Sequence, residues 1–363
     1  MKDEFSINKV SIKESESNPF NNSDIHSIGI NKNEKNNYSF YFLFLIFIVL
    51  IINLYFTFEI ISYQKKDLRK EPLIINENKN DKTQNESESY FDVSKFIFEN
   101  YDSNILLNIQ EKLGAAIEMK EFEQKFINGI IRKIKPQKIL EVGVSAGGST
   151  SIILNAIKDI DGAKLYSIEV LDYWYRNKTK KSGFLVEEKF PELMDKWSFY
   201  HGKITSEVIE NIGNEIDLVY LDTMHTVPGE LLDFLMFLPY LKEEAIIIIH
   251  DVFIMFRGTE IMTNAYYSNN QLLSYIRGDL ILPSYGNSTF LRNIGAIKLF
   301  KDQSKYFKQY FLALGQFWQY MPKKRHLESI TKFFLKYYGK ELTEIFEDAK
   351  NKNKLRFSLI RQK

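Results

Sequence analysis

Apolar and polar positions are organised differently from one stretch of the chain to the next. Residues 1–37 are dominated by Asn, Ser, Lys and Glu and show no period, a pattern that predicts disorder. From Tyr38 to Phe58 the chain reads YSFYFLFLIFIVLIINLYFTF, without a charged residue, and Asn53 is its clearest polar interruption. An uncharged run of about 20 residues is the length that crosses a bilayer as one helix, and a buried soluble helix rarely lacks a polar face for so long. The expectation is a single transmembrane helix over 38–62. The run is too long for a secretory signal core, and no small-residue cleavage site follows it. Residues 63–90 read as a flexible tether, because from Pro72 onward large apolar side chains are few beyond Leu73, Ile74 and Ile75.

Past residue 91 short apolar runs alternate with amphipathic ones. Phe122, Phe126, Ile130 and Ile134 form one helical stripe, and Pro136 ends it. KILEVG, KLYSIEV, SFYHGKI, IDLVYLD and AIIIIHD read as strands. GGSTSIILNAIKDI, VEEKFPELMDKW, SEVIENIG and PGELLDFLMFLPYL read as the helices between and after them. Apolar strands alternating with helices predict a parallel sheet covered on both faces, hence an α/β, doubly wound, Rossmann-like fold over 91–300. Residues 301–363, with QYFLALGQFWQYM and ITKFFLKYYGKELTEIFEDA, predict a helical C-terminal extension.

In such a sheet, ligands bind beyond the C-terminal strand ends. Here those ends are Gly143, Glu169, Asp222 and Asp251. Three of them are acidic, which a sheet does not need for its own stability. The loop GVSAGGST, after the first strand, narrows the ligand. A phosphate-cradling loop would require G-x-x-x-x-G-K-[ST], and the Lys is missing. A dinucleotide site places a glycine where the pyrophosphate comes close, and Ser145 stands there instead. S-adenosylmethionine has no phosphate, has an amino-acid end, and has a ribose diol that suits an acidic acceptor. The loop followed by Glu169 meets those requirements.

Composition limits the alternatives. The formal net charge is +1, which gives no reason to expect a nucleic-acid partner. The chain has no cysteine, so disulfides and thiolate metal ligation are excluded. Hydrophobic residues are 44% of the chain, enough for a sizeable core.

With these motifs in view, residues 122–300 resemble the class I S-adenosylmethionine-dependent methyltransferases. The resemblance is closest to the small-molecule O-methyltransferase branch that includes catechol O-methyltransferase and the bacterial family 24 enzymes. It is carried by ILEVGVSAGGST, YSIEV, VYLDTMHTVPGELLDFLMFLPYLKEEAIIIIHD and the late strand NIGAIKLF. It does not reach the apolar N-terminal run, the tether or the C-terminal extension. The resemblance implies that Glu141 and Gly143 shape the floor of the cofactor pocket, with Ser145 and Gly147 in the same loop. It also implies that Ser149, at a helix N-terminus, binds the methionine carboxylate. Glu169 would accept the ribose hydroxyls, and HGKIT would lie near the adenine. Asp222 would meet the methionine ammonium or a metal.

Methyl transfer starts from an activated cofactor, so the protein supplies positioning and a means of deprotonating the acceptor. His225 follows Asp222 by three residues, in the loop position where catechol O-methyltransferase carries its base. It is the candidate base, or else a loop histidine satisfied by backbone. Asp222, Asp251 and His250 are a candidate site for a divalent cation such as magnesium. The resembling metal enzymes have Asn after the second acid, where this chain has Val252. His250 either replaces that ligand or points to the opposite face of its strand.

The catalytic expectation is therefore His225, Asp222 and Asp251, acting on a hydroxyl of a small molecule, glycan or lipid-linked precursor. The alternative is a membrane-tethered interaction protein whose methyltransferase-like fold does not catalyse. The extension packs on the sheet, caps the acceptor pocket, or meets a membrane surface. Lys65, Lys66, Arg69 and Lys70 after the apolar run outnumber Lys32 and Lys35 before it, which predicts a catalytic domain facing the cytoplasm.

Overall fold

The computed structural model describes residues 100–252, 272, 275–283 and 293–360. The expected disordered segment 1–37, membrane helix 38–62 and tether 63–90 lie outside the described residues. Among the described residues, no helix is long and apolar enough to cross a membrane.

The elements follow in order α1 (Ser103–Leu113), α2 (Glu121–Ile134), β1 (Lys138–Val142), α3 (Gly148–Ile157), β2 (Lys164–Glu169), β3 (Tyr173–Trp174), β4 (Asn177–Lys181), α4 (Phe184–Lys189), β5 (Trp197–His201), α5 (Thr205–Ile212), β6 (Ile216–Leu221), α6 (Gly229–Phe237), β7 (Leu241–His250), β8 (Gly278–Ile281), β9 (Ile294–Leu299), α7 (Phe307–Ala313) and α8 (Lys324–Ile360). Seven strands form one sheet in the order β5-β2-β1-β6-β7-β9-β8. Strands β5, β2, β1, β6 and β7 are mutually parallel. The late strand β9 runs antiparallel to β7 and to β8. The sheet is therefore Rossmann-like and mostly parallel, with an antiparallel insertion where the repeating strand-helix pattern ends.

Strand alternation explains why AIIIIHD has no polar side. Ile247 and Ile249 enter the core formed with α5, α6, α7 and α8. Ile246 and Ile248 enter the one formed with α1, α2 and α3. Both faces are covered, so each position is apolar. The C-terminal helices belong to the first of these cores: Tyr310, Phe311, Trp318, Phe334 and Phe346 pack in the same cluster as Val219 and Leu221 of β6. The packing uses tilted and edge-on rings, such as Phe311 on Phe334 at 4.9 Å and Phe334 on Phe346 at 5.1 Å.

Some elements differ from the sequence expectation. VEEKFPELMDKW is two short pieces: α4 stops at Lys189, and Pro191 starts a separate 3-10 turn through Lys196, since proline cannot continue the α-helical hydrogen bonding. The hairpin β3–β4 and strand β8 were not anticipated; both are short, and β4 (NKTKK) has no apolar alternation to reveal it. Helix α8 is interrupted at Gly339, where φ is 76° and ψ −179°.

Candidate active site

The site begins with close approaches that only glycine permits. Gly143 follows β1 with φ 94°. A Cβ there would lie 1.8 Å from the Asp222 carbonyl oxygen, because the ends of β1 and β6 are drawn together by the hydrogen bond from Asp222 N–H to Val142 O, 2.9 Å. At Gly148, the first residue of α3, a Cβ would meet the Ile117 carbonyl oxygen at 2.5 Å. Between them Ser145 takes a left-handed conformation, φ 52°, which a non-glycine residue adopts only when its surroundings hold it there.

Glu169, at the end of β2, supplies that hold. One carboxylate oxygen accepts from the backbone N–H of Val144 (3.0 Å) and Ser145 (3.1 Å), and the other from Leu171 (2.9 Å). The expected ribose acceptor thus also fixes the glycine loop. The oxygen that accepts only from Leu171 keeps a lone pair for a ligand hydroxyl.

Glu141 has a different place from the one expected. It does not line the cavity that the strand ends enclose; it is fully buried behind the wall. There it accepts from the hydroxyls of Ser149 (2.6 Å), Thr150 (2.8 Å) and Ser167 (2.6 Å). Burial pushes its pKa up to about 7, and these hydroxyl donors oppose the rise. The Ser149 hydroxyl is committed to Glu141, so the end of α3 has its backbone N–H groups, and not this hydroxyl, to offer a carboxylate. Gly147 shapes the loop (φ 101°) without lining the cavity.

The cavity has a volume of about 800 Å³, within the usual range for ligand sites. Gly143, Ser145, Ser149, Glu169, Asp222, His225, His250 and Asp251 all line it. The carboxylate and imidazole groups converge. His250 Nδ1 is 3.2 Å from Asp222 Oδ2 and 3.7 Å from Asp251 Oδ2. His225 Nε2 is 3.4 Å from Asp251 Oδ2, and its Nδ1 is 3.6 Å from both Asp222 Oδ1 and Glu230 Oε1.

Strand alternation alone left the direction of His250 open. The structure turns it towards Asp222, and Asp251 joins the same side because the strand ends there: Asp251 adopts φ 53° and leaves the pleat. His225 is likewise left-handed, φ 58°, and its backbone N–H donates to the buried Glu230 carboxylate.

The charges are interdependent. Burial alone would raise the Asp222 pKa, but the His250 and His225 imidazoles more than reverse this and hold it low. Burial alone would lower that of His250, but Asp222, Glu123 and Asp251 raise it well above the ordinary value. Glu123, near the start of α2, faces His250 Nε2 at 3.6 Å. Asn293, just before β9, donates to Asp251 Oδ1 at 2.5 Å. Val252, where the resembling metal enzymes have Asn, is buried and apolar.

Among the described residues, one ligand atom each of Asp222, His250 and Asp251 come within 4.8 Å of one another. This mixed oxygen and nitrogen set suits manganese, iron or zinc better than magnesium, which prefers oxygen alone. Glu123 on the far nitrogen of His250 is the outer carboxylate that orients many metal-bound histidines.

Glu123, Glu230, Asp233 and Asn293 were missed from the sequence. Glu230 and Asp233 did leave a signal: they are the acids within the otherwise apolar GELLDFLMF, three apart and so on one helix face. Glu123 and Asn293 left none, since each reaches the site from an element remote in sequence.

Residues 140–252 match the family 24 model, described as a methyltransferase domain. No curated protein matches the chain. Solved structures resemble it at low identity. An O-methyltransferase from Streptomyces achromogenes, involved in tomaymycin synthesis and solved with S-adenosylmethionine, is 15% identical. The match covers 55% of this chain and 90% of that one, with a TM-score of 0.39. The O-methyltransferase from Bacillus cereus in complex with SAH is 14% identical over 54% and 91% of the two chains, TM-score 0.40. The SAH-bound methyltransferase PaMTH1 of Podospora anserina is 17% identical over 61% and 100%, TM-score 0.38.

The sheet order, the glycine cradle and the match over residues 140–252 make this part of the chain similar to the family 24 methyltransferase domains.

Proposed function

We propose that this protein is a membrane-anchored O-methyltransferase that methylates a hydroxyl of a small molecule, glycan or lipid-linked precursor, with its catalytic domain facing the cytoplasm. The observation that carries the reading is the convergence of Asp222, His225, His250 and Asp251 on the cavity, beside the glycine loop. When bound, S-adenosylmethionine supplies a methyl group on a sulfonium centre. The loop from Gly143 to Gly148 and the N-terminus of α3 would hold its amino-acid end, and Glu169 would accept from its ribose.

His225, whose ring nitrogens lie 3.4–3.6 Å from Asp222, Glu230 and Asp251, is the group to which this reading gives the acceptor proton. The membrane anchor rests on the uncharged run from Tyr38 to Phe58, and the orientation on the cluster from Lys65 to Lys70.

A second reading is favoured by the mixed donor set: Asp222, His250 and Asp251 hold a divalent cation that lowers the acceptor pKa. The two readings separate by mutation, once mass spectrometry of cells with and without the protein has identified the acceptor. If His225 is the base, His225→Ala lowers turnover about 100-fold or more, with SAH affinity nearly unchanged in calorimetry, and chelator has no effect on the wild type. If a cation does the work, chelator removes activity, manganese restores it, Asp251→Ala abolishes that rescue, and His225→Ala keeps most of its rate. Loss of SAH binding by the intact wild-type protein would exclude both.

A further inference from the structure

The cavity is also lined by residues beyond the strand ends. Thr205 opens it at the start of α5. Asp233 and Met236 reach it from α6. Tyr320, Met321 and Ile330 close it from the C-terminal extension. The last three lie outside the segment 140–252 that matches the methyltransferase family.

This part of the extension is firmly seated. Gln319 N–H donates to Val227 O at 2.8 Å, and Val227 N–H donates to Gln319 Oε1 at 3.0 Å. Trp318 is fully buried, its backbone N–H donates to Asn353 Oδ1 at 2.9 Å, and its indole N–H donates to Leu314 O at 2.9 Å. The Ser206 and Ser329 hydroxyls meet at 2.8 Å, tying α8 to α5. Residues 318–330 are therefore a fixed wall of the cavity.

The chemistry of this lining suits a flat base with one polar edge. Met236, Met321 and Ile330 present apolar surface. Asp233 also lines the cavity, and its oxygens are positioned by the Thr205 hydroxyl (2.9 Å) and the Thr223 hydroxyl (3.2 Å). Burial pushes the Asp233 pKa up to about 7, yet the side chain remains partly open to the cavity. The order of parts in S-adenosylmethionine is amino acid, ribose, purine. With the first at the glycine loop and the second at Glu169, the third falls towards the lining residues that follow β5, and Thr205, the last of these, bonds Asp233.

We propose that the C-terminal extension completes the adenine site: Met321 and Ile330 supply apolar wall for the purine, and Asp233 accepts a hydrogen of its 6-amino group. The proposal rests on the cofactor reading above and deepens it. Ionised, as it is above pH 7, the carboxylate favours a 6-amino purine and repels a 6-oxo purine, whose oxygen is also an acceptor, so the discrimination is read at pH 8.

The test is calorimetric titration of the full chain in detergent with SAH and with its 6-oxo analogue, S-inosylhomocysteine. The wild type is expected to bind SAH about 100-fold more tightly, the scale of a site that leaves buried polar groups mismatched. Asp233→Asn, which places an amide donor at the same position, is expected to narrow the ratio below about 10-fold. Met321→Ala is expected to weaken SAH about 10-fold, the effect of losing a buried apolar side chain, and to leave the ratio intact. Equal affinity of the wild type for the two ligands, or a ratio unchanged in a folded Asp233→Asn protein, overturns the role of Asp233. SAH affinity unchanged in Met321→Ala overturns the wall. If Asp233→Asn does not fold, the wild-type ratio and the Met321 variant still decide. Failure of the wild type to bind either ligand sinks the cofactor reading instead.

Discussion

At the scale of single residues, Glu141 shows a site group working from behind the cavity. Its carboxyl serves three hydroxyls, and burial raises its pKa from 4.5 to about 7. The sign of the consequence follows from proton binding. Between about pH 4.5 and 7 the folded state keeps a proton that the unfolded chain releases, so this group's contribution to stability is full at the acid end. It falls as pH rises through the window, by on the order of 3 kcal/mol. Asp233 acts in the same direction. Asp222 and Glu123, whose pKa values are lowered, act oppositely at more acidic pH. Glu141→Gln removes the titration while keeping an acceptor oxygen. Urea denaturation at pH 5 and pH 8 should show wild type losing more stability across the interval than the variant does. Equal losses would mean that Glu141 does not titrate there.

At the scale of elements, α8 depends on a break. Gly339 has a positive φ with extended ψ, a region open almost exclusively to glycine. The break lets Phe334, before it, pack edge-on against Phe346, after it. A Cβ at Gly339 would meet nothing within 4 Å, so the cost of substitution is conformational and not steric. Gly339→Ala is expected to destabilise the protein by about 1–3 kcal/mol, read as a fall of several degrees in Tm. An unchanged Tm would show that the helix passes through this point without strain. Because α8 also carries Ile330, the same element links the packing of the extension to the cavity wall.

At the scale of the whole molecule, the prediction concerns place. The uncharged run from Tyr38 to Phe58 should keep the full chain with the membrane fraction, through high salt and alkaline wash, until detergent is added. In the proposed orientation, drawn from the cations after that run, the catalytic domain faces the inside of the cell. Protease added to intact cells should therefore remove at most residues 1–37. Release by salt alone would refute the anchor, and digestion of the domain in intact cells would refute the orientation.

What the sequence by itself determined was the part governed by local period and strand-end chemistry. The repeating strand-helix pattern specified the parallel sheet. The glycines of GVSAGGST specified a loop in which β1, β6 and the turn before α2 approach too closely for a side chain. Glu169, Asp222, His225 and Asp251 were legible because an acid or histidine at a strand end has no packing reason to be there. Only the tertiary structure decided which way His250 faces, since left-handed backbone at Asp251 breaks the alternation on which a strand reading depends. It also decided that Glu141 supports the loop from behind, that Glu123 and Asn293 reach His250 and Asp251 from remote elements, and that the C-terminal helices close the cavity. The physical reason is common to these cases. Period and propensity act between residues a few positions apart, whereas these contacts join residues brought together only when both faces of the sheet are covered.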